Sequence, residues 1–287
     1  MANIYLLRHG KVDGDAALYG HTDVNVADNV NHHIVQQLMP QALNISHVFT
    51  SPLQRCAKLA EQLAGHYAVP VVAMDDLKEM HFGQYDGIAF DEVYQNNQQW
   101  QTLERFWQNP VQHPLPNAEL LTGFSYRVLR AWQAISEQVC ALDSTTLTDD
   151  QQTNHEANQQ ISQSANVRNE DNNILVVCHG GVIRMILAHL LQVDFRNPNW
   201  YTQLSIANGS LTSIRVENGK LQVRGIANSL ANLSSTSLSK QEFAGDSQTS
   251  ASTQSKSAQN KSAQTKNDRN NTFEQETYRA IAKEVLL

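Results

Sequence analysis

Four short apolar runs punctuate this chain: Ile4 to Leu7, Val48 to Thr50, Val69 to Ala73 and Ile174 to Cys178. Each is too short for a helix and rich in β-branched residues, so each reads as a buried strand. Between and after them, Ile34 to Met39, Pro52 to Tyr67, Phe124 to Leu142 and Val182 to Leu191 read as helices. Phe124, Val128, Trp132, Ile135 and Val139 recur at the spacing of one helical face. Strands alternating with helices in this way predict an α/β domain, with a mostly parallel central sheet covered by helices on both faces. Near the end, Ile214 and Val216, then Asn218-Gly219, then Leu221 and Val223 make a hairpin signal with a type I′ turn, which adds antiparallel strands.

Polar sequence is concentrated in two places. Ser, Thr, Asn and Gln supply 18 of the 31 residues from Asp143 to Asn173 and 26 of the 44 from Asn228 to Asn271. Neither stretch can bury enough apolar surface to offset chain entropy, and both are expected to be disordered. The expected organisation is therefore one domain over 1–228 with a polar insertion at 143–173, a linker over 229–271 and a short helix over 272–287. In that last segment Thr272 and Gln275 form a capping box, and Tyr278, Ile281, Ala282, Val285 and Leu286 share a stripe. It reads as a marginal helix; a partner-binding helix is the alternative.

The net charge of −7 lacks the footprint of a general nucleic-acid binder. No apolar run approaches the roughly 20 residues of a membrane helix, and Arg8 interrupts the N-terminal apolar run, so no membrane association and a cytoplasmic location are expected. The three cysteines, Cys56, Cys140 and Cys178, are too scattered for a disulfide framework or a zinc knuckle.

Three of the predicted strands end in residues suited to an anion. The first runs into Arg8-His9-Gly10. The second runs into Ser51-Pro52-Leu53-Gln54-Arg55, where Ser51 reads as an N-cap, Pro52 as the first helical residue and Gln54 as the partner of a capping box, so that Arg55 falls in a first helical turn. The last runs into His179-Gly180-Gly181, whose free N–H groups at a helix start favour a phosphate. Ligands of open α/β sheets bind outside the carboxyl ends of the strands, where these three sites converge.

Leu7-Arg8-His9-Gly10, Ser51-Pro52 with Arg55, Glu79-Met80-His81-Phe82-Gly83 and His179-Gly180-Gly181, in this order, resemble the histidine phosphatase (phosphoglycerate mutase-like) superfamily over Asn3 to about Ile226. The resemblance implies that His9 is a nucleophile that becomes phosphohistidine. Arg8, Arg55 and His179, with Gly180 at the helix start, would hold the phosphoryl oxygens. Glu79 would protonate the leaving alkoxide and then help deprotonate water. Physical chemistry suits those roles. A phosphoryl group in flight is stabilised by fixed cations and N–H donors, guanidiniums supply them without a metal, and a neutral imidazole is a good nucleophile near neutral pH. No cofactor is implied, and the expected partner is a small phosphate ester.

Some positions depart from the family pattern. Asp15 stands where many members have asparagine, Tyr85-Asp86-Gly87 where Trp-Glu-Gly is common, and Asn117-Ala118-Glu119-Leu120 where Gly-Glu-Ser is usual. Cys178 stands where serine or threonine is frequent, and reads as inert core. Asp75, Asp76, Asp86 and Glu119 compete with Glu79 for the acid's role. The remaining histidines, His21 and His81 among them, read as structural or solvated and match no zinc spacing.

Within the superfamily, Leu18-Tyr19-Gly20-His21-Thr22-Asp23, Glu79 to Gly87, Leu115 to Glu119, and Gly181-Val182-Ile183-Arg184 with Ala188 to Leu191 are most similar to α-ribazole phosphatases. That resemblance implies hydrolysis of α-ribazole 5'-phosphate in cobalamin assembly. A broad-specificity sugar-phosphate or phosphoprotein phosphatase, and an inactive phosphate-binding scaffold, are the alternatives. A mutase needs cations for its substrate's carboxylate, and Ile88 to Ala118 contains only Arg105. Phe82, Tyr85, Phe90, Tyr94, Trp100, Phe106 and Trp107 are divided between helix core and a possible apolar wall for a flat base.

Overall fold

The computed structural model describes residues 2–148 and 173–233. Alternation along the central strands builds the fold. In β1 (Ala2–Arg8), Ile4 and Leu6 enter one hydrophobic core while Tyr5 and Leu7 enter another on the opposite face. β4 (Asn173–Cys178) repeats this, with Ile174, Val176 and Cys178 on one side and Leu175 and Val177 on the other. A strand buried on both faces belongs in the middle of a covered sheet, and there these two pair, in parallel, with Arg8 opposite Cys178.

β2 (Ile45–Thr50) pairs in parallel with β4 and with the short β3 (Val71–Ala73), and β5 (Leu211–Glu217) and β6 (Lys220–Asn228) add the antiparallel hairpin beside β1. The order across the sheet is β3-β2-β4-β1-β5-β6. Asn218 and Gly219 have φ of 52° and 71°, the paired positive values that a type I′ turn requires.

Helices α1 (Asp28–Leu38) and α2 (Gln54–Tyr67) cover one face, through Ile34, Val35, Leu38, Leu59 and Leu63. The other face is covered by α3 (Phe90–Gln95), α4 (Asn97–Gln108), α5 (Leu121–Thr148) and α6 (Gly180–Leu190). Phe124, Val128, Trp132, Ile135 and Val139 of α5 are all buried there, as their spacing predicts. Two short helices, α7 (Asn199–Gln203) and α8 (Leu230–Leu233), flank the hairpin.

The sequence boundaries need several corrections. α1 begins six residues before Ile34, with its buried stripe starting at Asn31. α5 continues to Thr148 and β4 starts at Asn173, so both ends of the expected insertion are regular structure. α8 occupies the start of the expected linker, with Leu230 buried against the α1 side. Residues 149–172, the rest of the linker from 234 and the helix expected over 272–287 lie outside the described residues.

The expected capping box on α2 does not form. The helix starts at Gln54 with Leu53 as its N-cap and no side-chain cap. Instead the carboxylate of Asp23 accepts from the backbone N–H and the side-chain amide of Gln54, at 2.8 and 3.1 Å. Ser51 is turned to another use at the carboxyl edge of the sheet.

Candidate active site

Backbone bonds stitch three strand ends together. The N–H of His9 donates to Cys178 O and that of Ser51 to Val177 O, each at 3.1 Å. Arg8, His9, Ser51, Arg55 and His179 are thereby gathered at the carboxyl edge of the parallel strands, all at most 6% exposed.

His9 Nδ1 lies 2.7 Å from Gly10 O. A carbonyl only accepts, so Nδ1 carries the proton of the neutral ring and Nε2 keeps its lone pair. Burial, then Arg8 and Arg55, push the His9 pKa well below its ordinary value. The ring is therefore neutral at neutral pH, with Nε2 unprotonated. His179 packs edge-to-face against it, with ring centroids 5.2 Å apart.

His179 is fixed from both ends. Arg55 Nε donates to its Nδ1 at 3.2 Å, which leaves Nε2–H to donate to Ser51 Oγ at 2.8 Å. This is why Ser51 does not cap α2. Burial, followed by Arg55, lowers the His179 pKa well below its ordinary value. Arg55 also donates through Nη1 to Thr22 O and through Nη2 to Tyr19 O and Gly20 O. Of the five N–H donors of a guanidinium, these bonds among the described residues leave one, on Nη1, for an incoming oxygen. Arg8 Nη1 donates to Ile206 O, and burial, then Arg184, bring its pKa down to about 9, still cationic at neutral pH.

Glu79 reaches the same place from the segment after β3. Its Oε2 accepts from Gly181 N–H at the start of α6 and its Oε1 from Met80 N–H, both at 3.0 Å. A β-carbon at position 181 would stand 2.2 Å from Glu79 Oε1, so a glycine there lets the carboxylate seat on the helix N-terminus. Gly180, the first residue of α6, lies against Arg8.

The competing carboxylates are employed elsewhere. Glu119 makes a two-pronged pair with Arg127, at 2.7 and 2.8 Å, and Arg127 also holds the carbonyls of Asp76, Lys78 and Glu79. Asp76 pairs with Arg130, and Asp75 with Lys78. Asp86 accepts the backbone N–H groups of Gly20, His21, Thr22 and Phe82. Burial opposes ionisation of Asp86, but these bonds and one from the Thr22 side chain outweigh it and lower its pKa.

All six residues singled out from the sequence, Arg8, His9, Arg55, Glu79, His179 and Gly180, are brought together. Asp15 is exposed, its carbonyl receiving the Tyr19 hydroxyl. His81 Nδ1 accepts from Gly83 N–H and its ring meets that of His21. Cys178 is fully buried, which pushes its thiol pKa well up and leaves it inert. No group of His, Cys, Asp and Glu suited to a metal ion occurs among the described residues. None of their helices is long and apolar enough to cross a membrane.

The family model for the histidine phosphatase superfamily (branch 1) matches residues 4–142 and 154–229. The chain belongs to that superfamily. Phosphoglycerate mutase-like protein 4 of Arabidopsis thaliana is 24% identical over 85% of this chain and 93% of its own length. The α-ribazole phosphatase of Shigella flexneri superposes with a TM-score of 0.58 at 20% identity, covering 79% of this chain and 96% of that one. A phosphoserine phosphatase of Entamoeba histolytica, solved with 3-phosphoglyceric acid, gives 0.56 at 17% identity, covering 80% and 98%. These two structures share the fold, and their names differ in substrate.

Three residues of this edge are not legible as such in the sequence. Ser51 reads as a cap, Asp86 as a competing acid in a Tyr-Asp-Gly departure, and Arg184 as part of a motif with no role of its own, although it is 2% exposed beside Arg8. A helix that buries seven of its apolar and small residues along with one arginine was the available signal for the last.

Proposed function

We propose that this protein is a phosphomonoester hydrolase working through a phosphohistidine on His9, with α-ribazole 5'-phosphate as its substrate. The observation that carries the reading is the His9 tautomer. Its Nδ1 proton is held by Gly10 O, so Nε2 is left to attack phosphorus between two buried guanidiniums.

In the first step Nε2 of His9 forms a bond to phosphorus while the bond to the ester oxygen breaks, and Glu79 in its acid form gives that oxygen a proton. Arg8, the remaining Nη1 donor of Arg55 and the N-terminus of α6 take up the charge on the equatorial oxygens. His179, pinned by Arg55 and Ser51, faces the same phosphoryl group. In the second step Glu79 removes a proton from water, whose oxygen attacks phosphorus. The P–N bond breaks, and phosphate leaves with His9 restored.

Hydrolysis rather than mutase chemistry is supported by the 88–118 region. Its single arginine, Arg105, is exposed on α4. A broader specificity is favoured by another observation, on the aromatic residues of 82–107. Phe82, Tyr85, Phe90, Trp100, Phe106 and Trp107 are all buried in the core, and only Tyr94, 41% exposed, remains of the apolar wall that a flat base would use.

The test is a panel of phosphate esters assayed with EDTA present and ranked by kcat/KM. The proposal expects α-ribazole 5'-phosphate to exceed 3-phosphoglycerate at least about tenfold, a gap of about 1.4 kcal/mol in transition-state binding. Parity across the panel would establish the broad reading, and no phosphate release from any ester would leave the scaffold reading.

A further inference from the structure

Arg184 is unexplained by the reaction as written above. It lies in the second turn of α6, is 2% exposed, and donates through Nε to Leu204 O at 2.9 Å. Its own carbonyl receives Trp200 Nε1–H at 3.0 Å, fastening α7 to α6. Gly180 measures its nearness to the phosphate cradle. A β-carbon built there would lie 3.4 Å from Arg8 Cζ and 3.6 Å from Arg184 Nη1, so the two guanidiniums flank one residue at the helix start.

We propose that Arg184 is the third cation of the phosphate site, a positioning and specificity-determining residue that makes the site select the dianionic form of the phosphoryl group. This rests on the phosphomonoesterase reading and deepens it.

Charge carries the inference. Arg8, Arg55 and Arg184 are each at most 4% exposed. Facing them are Glu79, whose oxygens each accept a backbone N–H, and, around Arg55, Asp23 and Asp86. His9 and His179 are neutral. Each buried guanidinium attracts a phosphoryl dianion more strongly than a monoanion, so a third cation beside Arg8 and Arg55 widens the preference for the dianion. Without Arg184 that preference narrows. Burial strengthens the attraction, so the difference is worth more here than at a surface.

The groups that face Arg184 come from each element around it. They are Arg8 from β1, Glu79 from the segment after β3, and the Tyr201 phenol from α7. Burial lowers the Arg184 pKa to about 10, with Glu79 and Tyr201 opposing the fall, so it stays charged through neutral pH. The Tyr201 phenol is pushed up, burial being the main cause, and it stays neutral. Over the range in which phosphate loses its second proton, with a pKa of about 6 for phosphomonoesters, Arg184 therefore does not titrate and the ligand does.

Calorimetric titration of the full-length protein with inorganic phosphate, at about pH 5.5 and about pH 7.8 on either side of that ionisation and below the Arg8 pKa of about 9, tests this without turnover. Wild type should bind more tightly at the alkaline pH. Arg184→Gln should weaken alkaline binding roughly ten- to thirtyfold while changing acid binding much less, and Arg184→Lys should recover most of the loss. The lysine variant also covers the case in which the glutamine variant fails to fold. Equal weakening at both pH values, with lysine no better than glutamine, would reduce Arg184 to a tie for Leu204 and overturn the proposal. If wild type binds no phosphate at either pH, the phosphomonoesterase reading itself falls.

Discussion

The two walls of the cradle are built in opposite ways. On one side the 19–22 loop grips the buried Arg55, three of the loop's carbonyls accepting from its guanidinium. That loop is itself held by Asp86, which takes the N–H groups of Gly20, His21 and Thr22. On the other side the arginines do the gripping, Arg8 holding Ile206 O and Arg184 holding Leu204 O. A carboxylate organises the first wall and guanidiniums organise the second. The first should therefore depend on acidity and on one residue, while the second stays charged through acidic and neutral pH.

Glu79 joins the walls, since its chain leads into the loop that carries Asp86 and its carboxylate rests on Gly181. The largest effect is expected here. Glu79→Gln keeps the shape and removes proton transfer, so kcat should fall about 10²- to 10⁴-fold for a poor leaving group. The loss should shrink for a nitrophenyl ester, whose departure needs little protonation. Equal losses on both esters would make Glu79 a tie between the walls and not the acid.

Next in size is Asp86→Ala. Four backbone N–H groups lose their acceptor, and unsatisfied donors cost about 1–3 kcal/mol each when water cannot reach them. A destabilisation of about 3 kcal/mol is expected in chemical denaturation, with kcat/KM falling through misplacement of Arg55. An unchanged kcat/KM would show that Arg55 needs no help from the 19–22 carbonyls.

The smallest effect is the pH response that separates the walls. The Asp86 pKa is lowered in the folded state, so the stability it lends is fully present above its unfolded value of about 3.9 and is lost as pH falls through the lower folded value. Amide exchange at Gly20, His21 and Thr22 should accelerate below about pH 4 before exchange at Ser210, whose N–H is bonded to Ala207 O behind the arginine-held wall. Simultaneous loosening would erase the distinction.

The pieces that were legible in the sequence and those that were not differ in kind. Arg8, His9, Arg55 and His179 are readable because each follows an apolar run, and the run predicts the strand that delivers it. Pairing of Arg8 with Cys178 then puts the ends side by side. The walls are a different matter. Their acceptors are carbonyls of Tyr19, Gly20, Thr22, Leu204 and Ile206, which every residue type possesses and no pattern marks. Asp86 acts on groups more than 60 positions earlier, so its role is fixed by chain geometry that local spacing does not encode. The capping box over Ser51 to Gln54 fails for a related reason. The local pattern is sound, but His179 competes for the Ser51 hydroxyl from across the sheet, and Asp23 supplies the missing acceptor.

One measurement bears most directly on the chemistry. Protein denatured in alkali during turnover and digested for mass spectrometry should carry a phosphate on the peptide containing His9, lost on brief exposure to acid and absent from His9→Ala, which should show no turnover. Phosphate on any other residue, or full activity in His9→Ala, would contradict a phosphohistidine mechanism at this site.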